Sequence, residues 1–134
     1  MSILDFFSSK DKRAKLSHLK NLVALSMADG KVEKSELAAI AAVCSREGLT
    51  ENDLQKCLNN PGSIDFVPPT DDNTRLRYIK DMVVLMMSDG DIDKNELLVC
   101  KLTAEALGFK HEVIDAMILN IIAEIKEKID NGRF

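Results

Sequence analysis

The sequence predicts an all-α domain made of two related three-helix units, and three observations carry that expectation. First, one stretch occurs twice: SHLKNLVALSMADGKVEKSE at 17–36 and RYIKDMVVLMMSDGDIDKNE at 77–96. The 60-residue offset holds without a gap from Leu19/Ile79 to Leu49/Phe109, and ten of those 31 positions are identical. A repeat of this length sets the architecture before any motif is read. Second, apolar residues recur at three- and four-residue spacing, whereas no run alternates polar and apolar residues as a half-buried strand would. Third, helix start and stop signals punctuate the chain at matching places in both units.

The first 13 residues, MSILDFFSSKDKR, lack a basic stretch before a long apolar core, so no secretory signal is expected there. Ile3, Leu4, Phe6 and Phe7 form an apolar cluster, read as one or two helical turns docked on the body. Ser8 with Asp11 has capping-box spacing and opens the first main helix, whose apolar face is Leu16, Leu19, Leu22, Val23 and Met27. Asp29-Gly30 ends it. The second helix starts near Glu33, runs through Leu37, Ile40, Ala41 and Cys44, and stops at Gly48, where a C′ glycine belongs. Thr50 and Asp53 open a short third helix bearing Leu54, Cys57 and Leu58, and Asn60-Pro61-Gly62 closes it. These elements make up the first unit, about residues 10–60.

Residues 61–72, PGSIDFVPPTDD, read as a crossover, since proline cannot continue a helix and restricts the residue before it. Ile64, Phe66 and Val67 are expected to pin it across the domain surface. The second unit, about 73–130, begins near Thr70–Asp72. Its first helix, 75–88, is apolar on nearly every side from Met82 to Met87 and is expected to be the central, most buried element. Asp93 with Glu96 caps the next helix, which ends at Gly108. The last helix, about 111–129, carries Ile114, Met117, Ile118, Ile121, Ile122, Ile125 and Ile129 on one face. A three-helix unit is too small to bury its own apolar face, so the two are expected to share a core.

At 134 residues, with 46% hydrophobic and 30% charged, the chain has ordinary globular composition. A net charge of −4 gives no phosphate-binding footprint, so nucleic acid is not an expected partner. Cys44, Cys57 and Cys100 are odd in number and widely spaced, which points away from a disulfide framework or zinc site and towards a reducing, cytoplasmic compartment. No apolar run approaches the length of a membrane span. Met82, Met86, Met87 and Met117 fall at core spacing and read as core filler. His18 and His111 are single residues on helix starts or surfaces and form no site with a neighbour in sequence. No Gly-rich phosphate loop or Ser- or Cys-based catalytic signature is present, so no catalytic residue is assigned.

The chemistry gathers where the helices restart. Residues 29–36 read DGKVEKSE and 89–96 read DGDIDKNE, each resembling the second half of an EF-hand loop. The first half fails, because Leu25 and Met27, or Leu85 and Met87, stand where calcium needs oxygen ligands. The candidate metal-ligating acids are therefore Asp29, Glu33 and Glu36 in one loop, and Asp89, Asp91, Asp93 and Glu96 in the other. Capping accounts for Glu33/Glu36 and Asp93/Glu96, since negative charge is favoured in a first helical turn. It does not account for Asp91, which brings the second loop to four acids against one lysine, Lys94. Three readings stand: helix caps alone, a hard-cation site for Ca²⁺, Mg²⁺ or Mn²⁺, or a docking face for a basic partner segment.

The repeated pattern, seen as ADGKVEKSEL at 28–37 and SDGDIDKNEL at 88–97, resembles the TerB-like (tellurite resistance protein B) family over about residues 12–129. That resemblance implies an all-α fold of two related halves and a non-enzymatic stress-response role. It further implies a protein partner that is membrane-associated, or a role like that of the N-terminal module of a membrane-anchored DnaJ-type co-chaperone. It brings over Asp29, Glu33, Glu36, Asp89, Asp93 and Glu96 as the motif acids. Lys31 stands where the second loop has Asp91, so the resemblance does not imply equal cation binding by both loops. The alternatives are a co-chaperone-type interaction domain without a metal role, and an enzyme whose site assembles only in space.

Overall fold

The computed structural model describes residues 3–30, 32–88 and 90–132, the side chains of residues 3–8 and Asp29 excepted. Six helices follow one another: α1 (Ile3–Ser26), α2 (Lys34–Arg46), α3 (Glu51–Asn59), α4 (Asp72–Met86), α5 (Lys94–Ala106) and α6 (His111–Asp130). Short 3₁₀ turns follow α1 at Met27–Asp29 and α3 at Pro61–Ser63, and no strand occurs among the described residues. Helix ends repeat with the 60-residue offset of the sequence: α1 and α4 end at Ser26 and Met86, and α2 and α5 span 34–46 and 94–106.

The stop signals act as expected. Gly30 and Gly90 take φ of 100° and 94°, a left-handed conformation that glycine adopts without steric cost. Thr50 and Asp53 close a reciprocal box at the start of α3, with bonds of 2.9 and 3.1 Å. At the start of α4 the Asp71 carboxylate accepts from the Thr74 amide at 2.9 Å.

α1 packs on α2, α3, α4 and α5, and α4 packs on α1, α2, α5 and α6. The expected central helix therefore shares its place with α1. Leu19, Leu22, Leu25, Ile79, Met82 and Met86 are all buried where the two meet the remaining helices. Buried apolar residues from both halves of the chain, Ile40 and Cys57 as well as Cys100 and Ile118, form one cluster.

Four expectations need correction. α1 does not begin at a Ser8–Asp11 cap; its backbone is helical from Ile3 onward. No Gly or Pro interrupts residues 3–26, and extending an existing helix is easier than nucleating a new one. The expected docking of Ile3, Leu4, Phe6 and Phe7 falls on side chains outside the described residues. On α2 the inward face is Glu36, Ile40 and Cys44, leaving Leu37 and Ala41 exposed. The capping carboxylate takes the interior position and rotates the apolar stripe. Met27, in the 3₁₀ turn, is also exposed, as is Ile129 near the end of α6.

The crossover is pinned from several sides. Ile64 is buried, the Val67 amide donates to Ser17 Oγ at 2.9 Å, and Lys20 donates to the Ile64 carbonyl. Phe66 faces outward.

Candidate functional site

The structure separates by environment the five candidate acids whose side chains it describes. Glu33 and Glu36 close a capping box at the start of α2, with the Glu33 amide donating to Glu36 Oε1 at 3.0 Å. Asp93 caps α5, accepting from the amides of Asn95 at 2.8 Å and Glu96 at 3.2 Å. Glu36 and Glu96 are each only 1% exposed, so they point inward. Asp91 is exposed, and Glu33 and Asp93 are half-buried. The Asp29 backbone ends the 3₁₀ turn after α1, while its side chain and the whole of Asp89 lie outside the described residues.

Among the described residues no three His, Cys, Asp or Glu side chains are grouped to hold a metal ion. Two polar atoms near these turns do stand out. Ser26 Oγ and Glu36 Oε2 are buried without a hydrogen-bond partner among the described residues. A buried carboxylate oxygen left so is costly and asks for a counterpart. The 3₁₀ turn Met27–Asp29 packs on α5, so the first Asp-Gly turn lies beside the helix that the second loop opens.

A second constellation lies where α1, α2 and α4 meet. His18 is buried, not on a surface, and its Nε2 is 2.8 Å from Asp81 Oδ2. Since the carboxylate can only accept, Nε2 carries the proton. Asp81 also receives both arms of Arg46, at 2.8 and 2.6 Å, the paired geometry that suits guanidinium and carboxylate. Glu47 accepts from Arg77 at 3.2 Å and from Arg46 at 3.4 Å. The His18 and Tyr78 rings stack, centroids 3.6 Å apart and 3° from parallel.

Burial lowers the His18 pKa from its ordinary value, more than the hydrogen bond and charge of Asp81 raise it. Burial works to raise the pKa of Asp81, yet its bonds to Arg46 and His18 hold it below the ordinary carboxylate value. Tyr78 is pushed up to about 12, first by burial and then by the Glu47 charge. At neutral pH the network thus holds Arg46 and Arg77 against Asp81 and Glu47 around a neutral imidazole. Its charges balance.

Among the described residues no nucleophile joins the imidazole. Ser17 Oγ accepts from the crossover, and the Cys44 and Cys57 thiols point to the carbonyls of Thr50 and Leu16. Burial raises the Cys57 pKa to about 11 and the Cys100 pKa to about 12, so neither is a ready thiolate. A cleft of about 330 Å³ between α1, α2 and α4 reaches Arg46 and Asp81, but its other walls are aliphatic, among them Leu22, Ile40, Val43 and Val84.

Sequence reasoning missed this network, because His18 and Asp81 are 63 residues apart and meet only in the folded chain. One signal was present: His18 occupies the place in the first unit that Tyr78 occupies in the second.

The chain matches no protein-family model, no curated protein and no solved structure. Among the described residues no helix is long and apolar enough to cross a membrane.

Proposed function

We propose that this protein is a non-enzymatic interaction module, TerB-like in its duplicated motif, which docks a basic amphipathic segment of a partner protein at its acidic corner. The observation that carries the reading is the pairing of chemistries there. Asp91 is exposed in the loop before α5, and Met27, 49% exposed, sits on the 3₁₀ turn that packs on α5. An anionic rim beside an exposed, adaptable thioether suits a segment that is cationic on one face and apolar on the other. The balanced polar network and the hydrogen-bonded Ser17, Cys44 and Cys57 beside it favour a binding role over catalysis. A stress-response setting and a membrane-associated or co-chaperone-type partner follow from the TerB-like motif.

The test is fluorescence anisotropy with a labelled Lys/Leu amphipathic peptide and an acidic peptide of the same apolar pattern. Binding of the basic peptide alone, weakened by salt and by Asp91→Lys or Met27→Ser, supports the proposal. Equal binding of both peptides, or none, refutes it.

A second reading, a hard-cation site at the same corner, is favoured by the partnerless Glu36 Oε2. Carboxylate oxygens suit Ca²⁺, Mg²⁺ or Mn²⁺. Calorimetric titration of chelator-treated protein with these ions, beside Glu36→Gln and Asp91→Asn, separates the two. Heat and a rise in Tm that the variants lose support the cation, since a ligand of the native state stabilises it. No heat up to millimolar metal removes it and leaves the docking face.

A further inference from the structure

The exposed face of α5 and α6 is built differently from the acidic loop that precedes α5. Four residues, 107–110, separate the two helices, so they pack as an antiparallel pair. Lys101 on α5 reaches Asp115 on α6 at 3.0 Å, and His111 lies 3.8 Å from Glu105 nearer the turn. One helical turn further from the connection stand Leu98 on α5 and Leu119 on α6, three residues before Lys101 and four after Asp115. Leu98 is 55% exposed, Leu102 beside it 57% and Leu119 65%, the highest values among the large apolar residues described. In the first unit Ala38 and Ala42 hold the positions of Leu98 and Leu102. The knobs are therefore peculiar to α5.

We propose that this face pairs with the same face of a second copy, α5 of each lying over α6 of the other. Charge complementarity selects the occupant. The patch carries a cation on α5 and an anion on α6 around three leucines, so it draws neither a uniformly basic nor a uniformly acidic partner. Turned on itself by a two-fold axis, it sets Lys101 of each copy against Asp115 of the other and closes the leucines together. Such a contact is isologous and stops at two copies. The leucines supply the buried centre and the ion pairs supply the register.

Sedimentation equilibrium of the full chain up to about 1 mM tests this. The expected weight-average mass rises from 14.9 kDa towards about twice that value. Leu98→Glu with Leu119→Glu should weaken association at least about tenfold while leaving the far-UV circular dichroism and melting curve in place. Lys101→Asp alone and Asp115→Lys alone should each be monomeric. Mixed in equal amounts they should recover the dimer, because each then presents the charge that the other lacks. A wild-type mass that stays monomeric, a mass unmoved by the leucine pair, or a mixture that does not recover association overturns the proposal.

Discussion

Replacing Asp81 with alanine tests whether the polar network holds α2 against the α1–α4 pair. The Asp81 side chain is 11% exposed and serves two donors of unlike surroundings. His18, with a side chain only 2% exposed, loses the acceptor for its Nε2–H, and leaving a buried donor unsatisfied costs about 1–3 kcal/mol. Arg46 is 41% exposed, so water replaces much of what it loses, and its share is about 0–1 kcal/mol. The expected destabilisation for Asp81→Ala is therefore about 1–4 kcal/mol. Asp81→Asn, which keeps one acceptor oxygen, should cost about 1–2 kcal/mol. Urea unfolding followed by far-UV circular dichroism measures both, with the denaturant slope as a check on two-state behaviour. A loss below about 0.5 kcal/mol for the alanine variant, at an unchanged slope, would show that the network contributes no stability.

Stability should fall with acid in two stages. Both folded-state pKa values are lowered, so the unfolded chain binds more protons: His18 destabilises as pH drops below 6.5, and Asp81 adds to it below 3.8. Urea midpoints should be level above pH 6.5 and decline below it, and His18→Gln should abolish the first stage; a decline unchanged in that variant assigns it to other groups. Gly90→Ala should cost about 1–2 kcal/mol from backbone strain alone, since φ is 94° and an added Cβ meets nothing within 4 Å. An unchanged midpoint would count against that conformation. Met82→Ala, at a position with no exposure, should cost about 2–5 kcal/mol by the same measurement, and a loss under 1 kcal/mol would deny it a core role. Cys100 should resist a thiol reagent until denaturant is added, being fully buried with its pKa near 12, and prompt labelling of the native protein would contradict this.

What was legible in the sequence was mostly local. Glycines at helix ends, the Thr50–Asp53 box and the Asp93 cap act within a few residues, and the structure has them where the sequence puts them. The repeat supplied the offset at which helix ends recur. The α2 face was misread because a charged residue, Glu36, took an inward position that apolar periodicity assigns to Leu37. The His18–Asp81–Arg46 contacts were illegible because three separate helices supply them, and pairing across such distances leaves no mark on spacing. Nothing in the local sequence singles out Asp81, Arg46, Glu47 or Arg77, which only the fold gathers beside His18 and Tyr78.

The network has no counterpart on the opposite flank of the α1–α4 pair. At the 60-residue offset Asp81 matches Asn21, Arg46 matches Ala106, and Glu47 matches Leu107. On that flank Cys100, Ala104 and Leu107 are buried, with Glu96 buried on the same helix as the first two. The two units thus meet the central helices differently, the first through an added network of Arg46, Asp81 and His18. Acid weakens that network through His18 and Asp81, whereas cooling weakens apolar burial on both flanks. Amide hydrogen exchange at low pH should therefore open α2 before α5. A molecule built on a repeat thus comes apart in acid from the side that carries the ionic network.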